Sequence, residues 1–360
     1  MSRLTVGVEE EFLLLDPASG ENRPAAEKVL ADLPGPMRLR GHREFRPSML
    51  EMVTGVRTDL GELAGELLAG RRAAATTAAA HGVALVAIGA TPVAEAVRTP
   101  SDDPRFRAIA GHYGPIARDP SVCGCHVHVG VPGRAQAVEI CTRLRGWLPV
   151  IQALAANSPL FEGADTGYAS WRSIQLERWP GLGPWPHLRS VEDFERTVAA
   201  MIASGEMLDD SMILWYARPS ASFPTVEVRV ADVCAEARDA VLVTALVRGL
   251  VDTVMRQDAE PEIPGAILHA AHWNAARNGV GGTLLDPRSG RARPAWDLVG
   301  ELVDRITPAL RRHGDLGLVT AGLDRIARDG TAAAQQRQIF DRSGSVAVVL
   351  DCLTDATVRA

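Results

Sequence analysis

Polar and apolar residues alternate in several short runs of this chain, and between them lie longer stretches whose apolar positions recur every three or four residues. The first pattern is that of half-buried strands and the second that of amphipathic helices. Leu4–Asp16 predicts a strand ending in the turn sequence Asp16-Pro-Ala-Ser-Gly20. Further strands are expected around Phe45–Thr54, Val83–Gly89, Ser121–Val131 and Thr225–Val233. Helices are expected over the Ala- and Leu-rich Thr58–His81, over Ala135–Asn157, Val191–Ser204 and Glu236–Arg256, and through most of the remainder. The Gly- and Pro-rich segment Asn278–Pro294 interrupts that last region, and Phe161–His187, rich in Gly, Pro and Trp, reads as a structured loop. Strands and helices follow one another without a regular βαβ rhythm, which predicts an α+β fold. The expected product is a curved sheet with helices on one face and a polar pocket on the other.

Three of the strands carry chemistry on one face only. Side chains alternate across a strand, so Glu9 and Glu11 in Val6-Gly-Val-Glu-Glu-Glu-Phe-Leu point the same way. His126 and His128 share a face of Cys123-Gly-Cys-His-Val-His-Val-Gly, with Val127 and Val129 behind them. Glu227 and Arg229 share a face of Thr225-Val-Glu-Val-Arg-Val, again with valines behind. One such strand is ordinary for a sheet wetted on one side. Three in one sheet would line a single cavity, and Glu44-Phe-Arg-Pro-Ser-Met-Leu-Glu51 adds two carboxylates. Carboxylates gathered so densely repel one another unless cations neutralise them. An oxygen-rich set with few nitrogens suits Mg²⁺ or Mn²⁺ rather than zinc. Alternation places Glu10 on the helix-packed side, where the sequence offers it no evident role.

Composition narrows the function classes. A net charge of −6 over 360 residues argues against a nucleic-acid partner, which usually meets a basic patch. No apolar run is long enough to span a bilayer, and the N-terminal residues lack the apolar core of a signal peptide, so a cytoplasmic protein is expected. Five cysteines show no disulfide-like regularity, and Cys123-Gly-Cys125 is spaced too tightly for a structural zinc pair. His42, His112 and His187 read as surface or structural residues, and Trp215-Tyr216 as core packing. Gly181-Leu-Gly183 has no dinucleotide-binding context. On residues alone, the cluster suits hard-metal chemistry such as amide hydrolysis; ATP-dependent ligation and nucleotide binding without turnover are implied by the resemblance that follows.

Taken together, these segments resemble the carboxylate–amine ligase family related to type-2 glutamate–cysteine ligases. The resemblance is carried by Gly7–Asp16, by Cys123–Pro132, and by Ala156-Asn-Ser-Pro-Leu-Phe-Glu-Gly-Ala-Asp-Thr-Gly-Tyr-Ala-Ser-Trp-Arg-Ser173. Phe223–Cys234 and the Asp286-Pro-Arg-Ser-Gly and Asp341-Arg-Ser-Gly stretches complete it. It extends over essentially the whole chain, which implies a single catalytic domain over residues 1–360 with a glutamine-synthetase-like antiparallel sheet. It implies an ATP site with two or three Mg²⁺ ions, for which Mn²⁺ can substitute. Metal ligands by position are Glu9, Glu11, Glu51, Glu227 and, more weakly, Glu44. His126 matches a metal- or phosphate-contacting histidine, and His128 one that either contacts nucleotide or supports the ligands from behind. Arg229 matches the arginine that faces the transferred phosphate. Arg172 is a candidate for an acceptor carboxylate or a phosphate; a surface arginine stacked on Trp171 or Trp179 is the alternative. The Tyr168–His187 stretch is a candidate cover that shields the intermediate from water. The substrates implied are a glutamate-like carboxylate and an amine joined through an acyl phosphate, with weak glutamate–cysteine ligase activity, and a homodimer is suggested.

Overall fold

The computed structural model describes residues 3–257 and 262–359. Its centre is a seven-stranded antiparallel sheet made of β1 (Val6–Leu15), β2 (Gly41–Arg43), β3 (Met49–Val53), β4 (Ala84–Val86), β5 (Gly124–Gly130), β6 (Ala217–Pro219) and β7 (Thr225–Asp232). The order across the sheet is β6-β7-β5-β1-β3-β2, with β4 pairing the far end of β1. Five of the other six strands lie beside β1 or one strand away from it, so β1 is the hub of the sheet. Its first half pairs with β5 (Glu9 opposite His126) and its middle with β3 (Glu11 opposite Glu51).

Period-two alternation divides the sheet into two faces. Val6, Val8, Val127, Val129, Val226 and Val228 are buried in one continuous core with the helices Arg134–Leu144, Leu148–Leu154 and Ala237–Val254. Beyond Glu11 the alternation stops: Phe12–Leu15 are buried on both faces, in a second cluster with β4 and the helix Val346–Thr357. The helix Ala237–Val254 is buried throughout Ala240–Val254, as expected of a helix apolar on all sides. Arg248 within it is held by Asp315, whose oxygens lie 2.6–3.1 Å from its guanidinium nitrogens.

Glu10 finds its role here. It points away from Glu9 and Glu11 and meets Arg71, which donates from Nε at 2.9 Å and Nη2 at 2.5 Å. Arg71 comes from the helix Leu60–Ala80, whose N-terminus is capped by Asp59. Both groups are buried, and Arg71 also donates to the carbonyls of Cys234, Ala235 and Thr357. Glu10 therefore bolts the sheet to the helical layer.

The long helix expected over Ala135–Asn157 is two helices, Arg134–Leu144 and Leu148–Leu154, broken at Arg145–Trp147. Pro149 is responsible, since its ring clashes with the preceding turn and it has no N–H to donate back. The Asn278–Pro294 interruption is a hairpin of Thr283–Asp286 and Arg291–Pro294, and the Phe161–His187 loop contains the short helix Trp171–Leu176.

Candidate active site

The polar face of the sheet brings the expected residues together. Across it run Glu51 on β3, Glu9 and Glu11 on β1, His126 and His128 on β5, and Glu227 and Arg229 on β7. Glu9 lies 3.3 Å from His126 Nδ1 and 3.1 Å from His128 Nε2 through its two oxygens. Glu11 accepts from the Gly124 amide at 2.5 Å and stands 3.9 Å from His126 Nε2. His128 Nδ1 is 2.9 Å from Thr225 Oγ1, which orients its ring. Glu44, from the turn between β2 and β3, joins from outside the sheet. In each of three sets, potential ligand atoms lie within 4.8 Å of one another: Glu9, Glu51 and His126; Glu9, His128 and Glu227; Glu11, Glu44 and Glu51.

Charge is unevenly balanced around this ring. Burial disfavours the ionised form of Glu227, but Arg229 and Arg218 beside it hold it well below the usual carboxylate range. Glu9 is likewise kept low against its burial by His126 and His128. Glu44 goes the other way, pushed up to about 8 by burial and by the neighbouring Glu11 carboxylate. Glu51 is raised well above its ordinary value by burial and by Glu44, Glu9 and Glu11. His126 is lowered by burial and by Arg229, which favours a neutral ring with a free lone pair. Carboxylates that raise one another's pKa lack a cation, and the missing charge is what a hard divalent ion supplies. The oxygen-rich donor set fits Mg²⁺ or Mn²⁺.

Arg229 owes its position to a β-bulge. The register between β7 and β5 shifts between Val228 and Ala231, so Arg229 and Val230 both stand opposite His126. The Arg229 guanidinium pairs with Glu227 and reaches within 3.5 Å of His126 Nδ1. After the bulge the phase of alternation is reversed, and Asp232 stands opposite Gly124. There it accepts from Asn157 N (2.8 Å), Ser158 Oγ (2.6 Å) and Ser170 Oγ (2.7 Å). Arg172 is not a surface arginine stacked on tryptophan. It is buried, 3.9 Å from Asp232, and donates to the Arg229 carbonyl at 3.4 Å. Its Nε has no hydrogen-bond partner among the described residues. Gly124 makes room for it, since a Cβ there would come within 2.3 Å of the guanidinium.

Two cavities flank the ring. The larger, of about 720 Å³, is bordered by Glu9, Glu51, His128, Thr225, Phe223 and Val131. The smaller, of about 230 Å³, is bordered by Glu11, Glu44, His126, Arg172 and Arg229 at one end. Two residues of the site escaped the sequence reading. Arg218 on β6 grips Glu227 through Nε at 2.8 Å and Nη2 at 3.2 Å. The hairpin around Ser220–Phe223 places it opposite Glu227, and the turn residues there were the available signal. Asp232 was hidden by the bulge. Trp215 and Tyr216 both pack in the core as expected, Trp215 against Trp185, and Tyr216 also borders the smaller cavity.

The sequence profile of glutamate–cysteine ligase family 2 matches residues 5–350. A protein of Salinispora arenicola provisionally named glutamate–cysteine ligase 2 is 54% identical over 362 residues, covering 99% of this chain and 96% of its own. The structure resembles the glutamate–cysteine ligase of Francisella tularensis in complex with AMP, with a TM-score of 0.70 at 13% identity over 100% of this chain and 90% of that one. It also resembles a bifunctional glutathione synthetase of Pasteurella multocida, with a TM-score of 0.71 at 14% identity, covering 99% of this chain and 52% of that one. At such identity these likenesses establish the shared glutamine-synthetase-like fold. The chain belongs to glutamate–cysteine ligase family 2 and is, by that membership, an ATP-dependent carboxylate–amine ligase.

Proposed function

We propose that this protein forms a γ-glutamyl-type amide from a glutamate-like carboxylate and an amine, through an acyl phosphate made at the carboxylate ring between the two cavities. The observation that carries this reading is the convergence of Glu9, Glu11, Glu51 and Glu227 with two histidines and Arg229 on one face of one sheet, joined by Glu44 from the adjoining turn. The larger cavity has the room for a nucleotide, and the smaller for the acid and the amine. Because the ring draws on residues from Glu9 to Glu227, we treat residues 1–360 as one catalytic domain. ATP, five free cysteines and hard-metal chemistry suit the cytoplasm.

Glu9, His128 and Glu227 would hold Mg²⁺ on the nucleotide side of the ring, and Glu11, Glu44 and Glu51 on the other. Mg²⁺, when bound, neutralises the triphosphate and the charge that develops as the phosphoryl group moves. The substrate carboxylate attacks the γ-phosphorus, and ADP leaves with the electrons of the broken P–O bond. The amine then attacks the acyl carbon, the C–O bond to phosphate breaks, and the proton lost by nitrogen leaves with the phosphate. Arg229 donates its planar fork to the phosphoryl oxygens, held in place by Glu227 and the bulge. Arg172 offers a buried cation, not fully partnered, to a substrate carboxylate. His126, kept neutral, contributes a lone pair rather than a charge.

The test is ADP release by purified protein supplied with Mg²⁺, with products identified by mass. Release that requires both an acid and an amine is expected. Amide cleavage without ATP, or activity that tracks stoichiometric zinc, would replace ligation by hydrolysis.

A further inference from the structure

The smaller cavity has a second, apolar end. Phe45, Phe106, Ile109, Trp179, Leu182 and Leu214 border it, directly beyond the polar end. The two ends abut because Phe45 follows Glu44 in the chain. Phe45 meets Phe106 edge-on at 5.7 Å and Trp179 edge-on at 6.0 Å. Trp179 in turn leans on Tyr113 at 5.3 Å. This wall is built from segments outside the main sheet: the helix Pro104–Tyr113, the turn after the helix Trp171–Leu176, and the strand Leu214–Trp215. The first is tied to the turn that leads into the last by Arg105, which pairs with Asp209 and Ser211. Five of the six side chains keep part of their surface exposed.

Apolar surface that borders a cavity beside an ion-binding ring is best covered by an apolar ligand group, which displaces poorly bound water. Neither glutamate nor cysteine brings such a group. The acid must present its carboxylate at the ring, near Arg229 and Arg172, which leaves the apolar end to the other substrate. Resting on the ligase reading above, we infer that the amine accepted by this protein carries a bulky apolar body, aromatic or branched-aliphatic, seated against Phe45, Phe106 and Trp179.

The experiment compares glutamate paired with methylamine, cysteine, isoamylamine or phenethylamine, following ADP release and product mass, and adds calorimetric binding of phenethylamine in the presence of Mg²⁺ and ADP. A kcat/KM for phenethylamine or isoamylamine at least tenfold above that for cysteine is expected, as hydrophobic pockets discriminate on that scale. The phenethylamine-to-methylamine ratio should fall about tenfold in Phe106→Ser, and less in Phe106→Leu, each with a matched melting curve. A preference for cysteine or methylamine overturns the inference, as does absence of both turnover and binding. Turnover of an aromatic acid with methylamine, but not of glutamate with aromatic amines, overturns the assignment of the apolar end to the amine. Phenethylamine binding that is lost in Phe106→Ser, with no ADP release from any pair, supports the apolar subsite while removing the ligase reading.

Discussion

Glu9, Glu10 and Glu11 carry the same functional group on consecutive residues, yet the sheet sends them into two regions of opposite character. On the helical side, Glu10 meets one arginine with both oxygens, and that arginine's remaining N–H groups go to backbone carbonyls. Charge and hydrogen bonds are matched there. On the open side, Glu9 and Glu11 join three more carboxylates whose charge is only partly balanced, so that burial and Glu11 raise the pKa of Glu44, and burial and Glu44 that of Glu51. A matched buried pair stabilises an architecture, whereas an unmatched cluster is poised to take up a cation.

The comparison is broken most severely by removing one half of the matched pair. Arg71→Ala leaves Glu10 buried and uncompensated, and should cost about 3–5 kcal/mol of stability. Thermal melts should show a fall of roughly 5 °C or more, or a failure to fold. The double variant Glu10→Leu/Arg71→Met should recover most of that loss, because an apolar pair has no desolvation to offset. A double variant no more stable than Arg71→Ala would mean that the backbone carbonyls, not Glu10, are the essential partners.

Arg229→Lys sharpens the contrast from the other side. It keeps the charge beside Glu227 but loses the planar fork. Loss of about 3 kcal/mol of transition-state stabilisation should lower turnover on the order of a hundredfold. The melting curve should barely move. Near-normal ADP formation in a well-folded variant would take Arg229 out of the mechanism.

A further expected effect is one of pH. Glu44 has a folded pKa near 8, above its ordinary 4.5, so the folded protein holds a proton that the unfolded chain has released between those values. Stability of the metal-free protein should therefore fall as pH rises from about 4.5 to 8, and level off above. Added Mg²⁺ should flatten this slope, and Glu44→Gln should reduce it without metal. Melting temperatures that do not respond to pH in the metal-free protein would show that Glu44 is neither shielded from water nor repelled by Glu11 to the extent its place in the ring implies.

Much of the site was legible because strands have a period of two. Glu9 with Glu11, and His126 with His128, share faces by local geometry alone, and their valine backs fixed which face is buried. Asp232 was not legible because the bulge at Val228–Ala231 reverses the phase after Arg229. Arg218 was not legible because its value depends on standing opposite Glu227 across a hairpin. The break at Arg145–Trp147 could be read from Pro149, although the apolar rhythm on either side runs through it.

The sequence by itself determined the elements, the two faces of the sheet and the chemical type of the ring, because alternation, propensity and ligand chemistry are properties of neighbouring residues. The tertiary structure alone decided which strands lie side by side, and so which carboxylates face one another. It also decided that Glu10 meets Arg71 sixty-one residues away, that Arg172 is buried against Gly124, and that Phe45, Phe106 and Trp179 form one wall. Pairings of this kind depend on burial and charge balance summed over distant segments, and no local pattern encodes them.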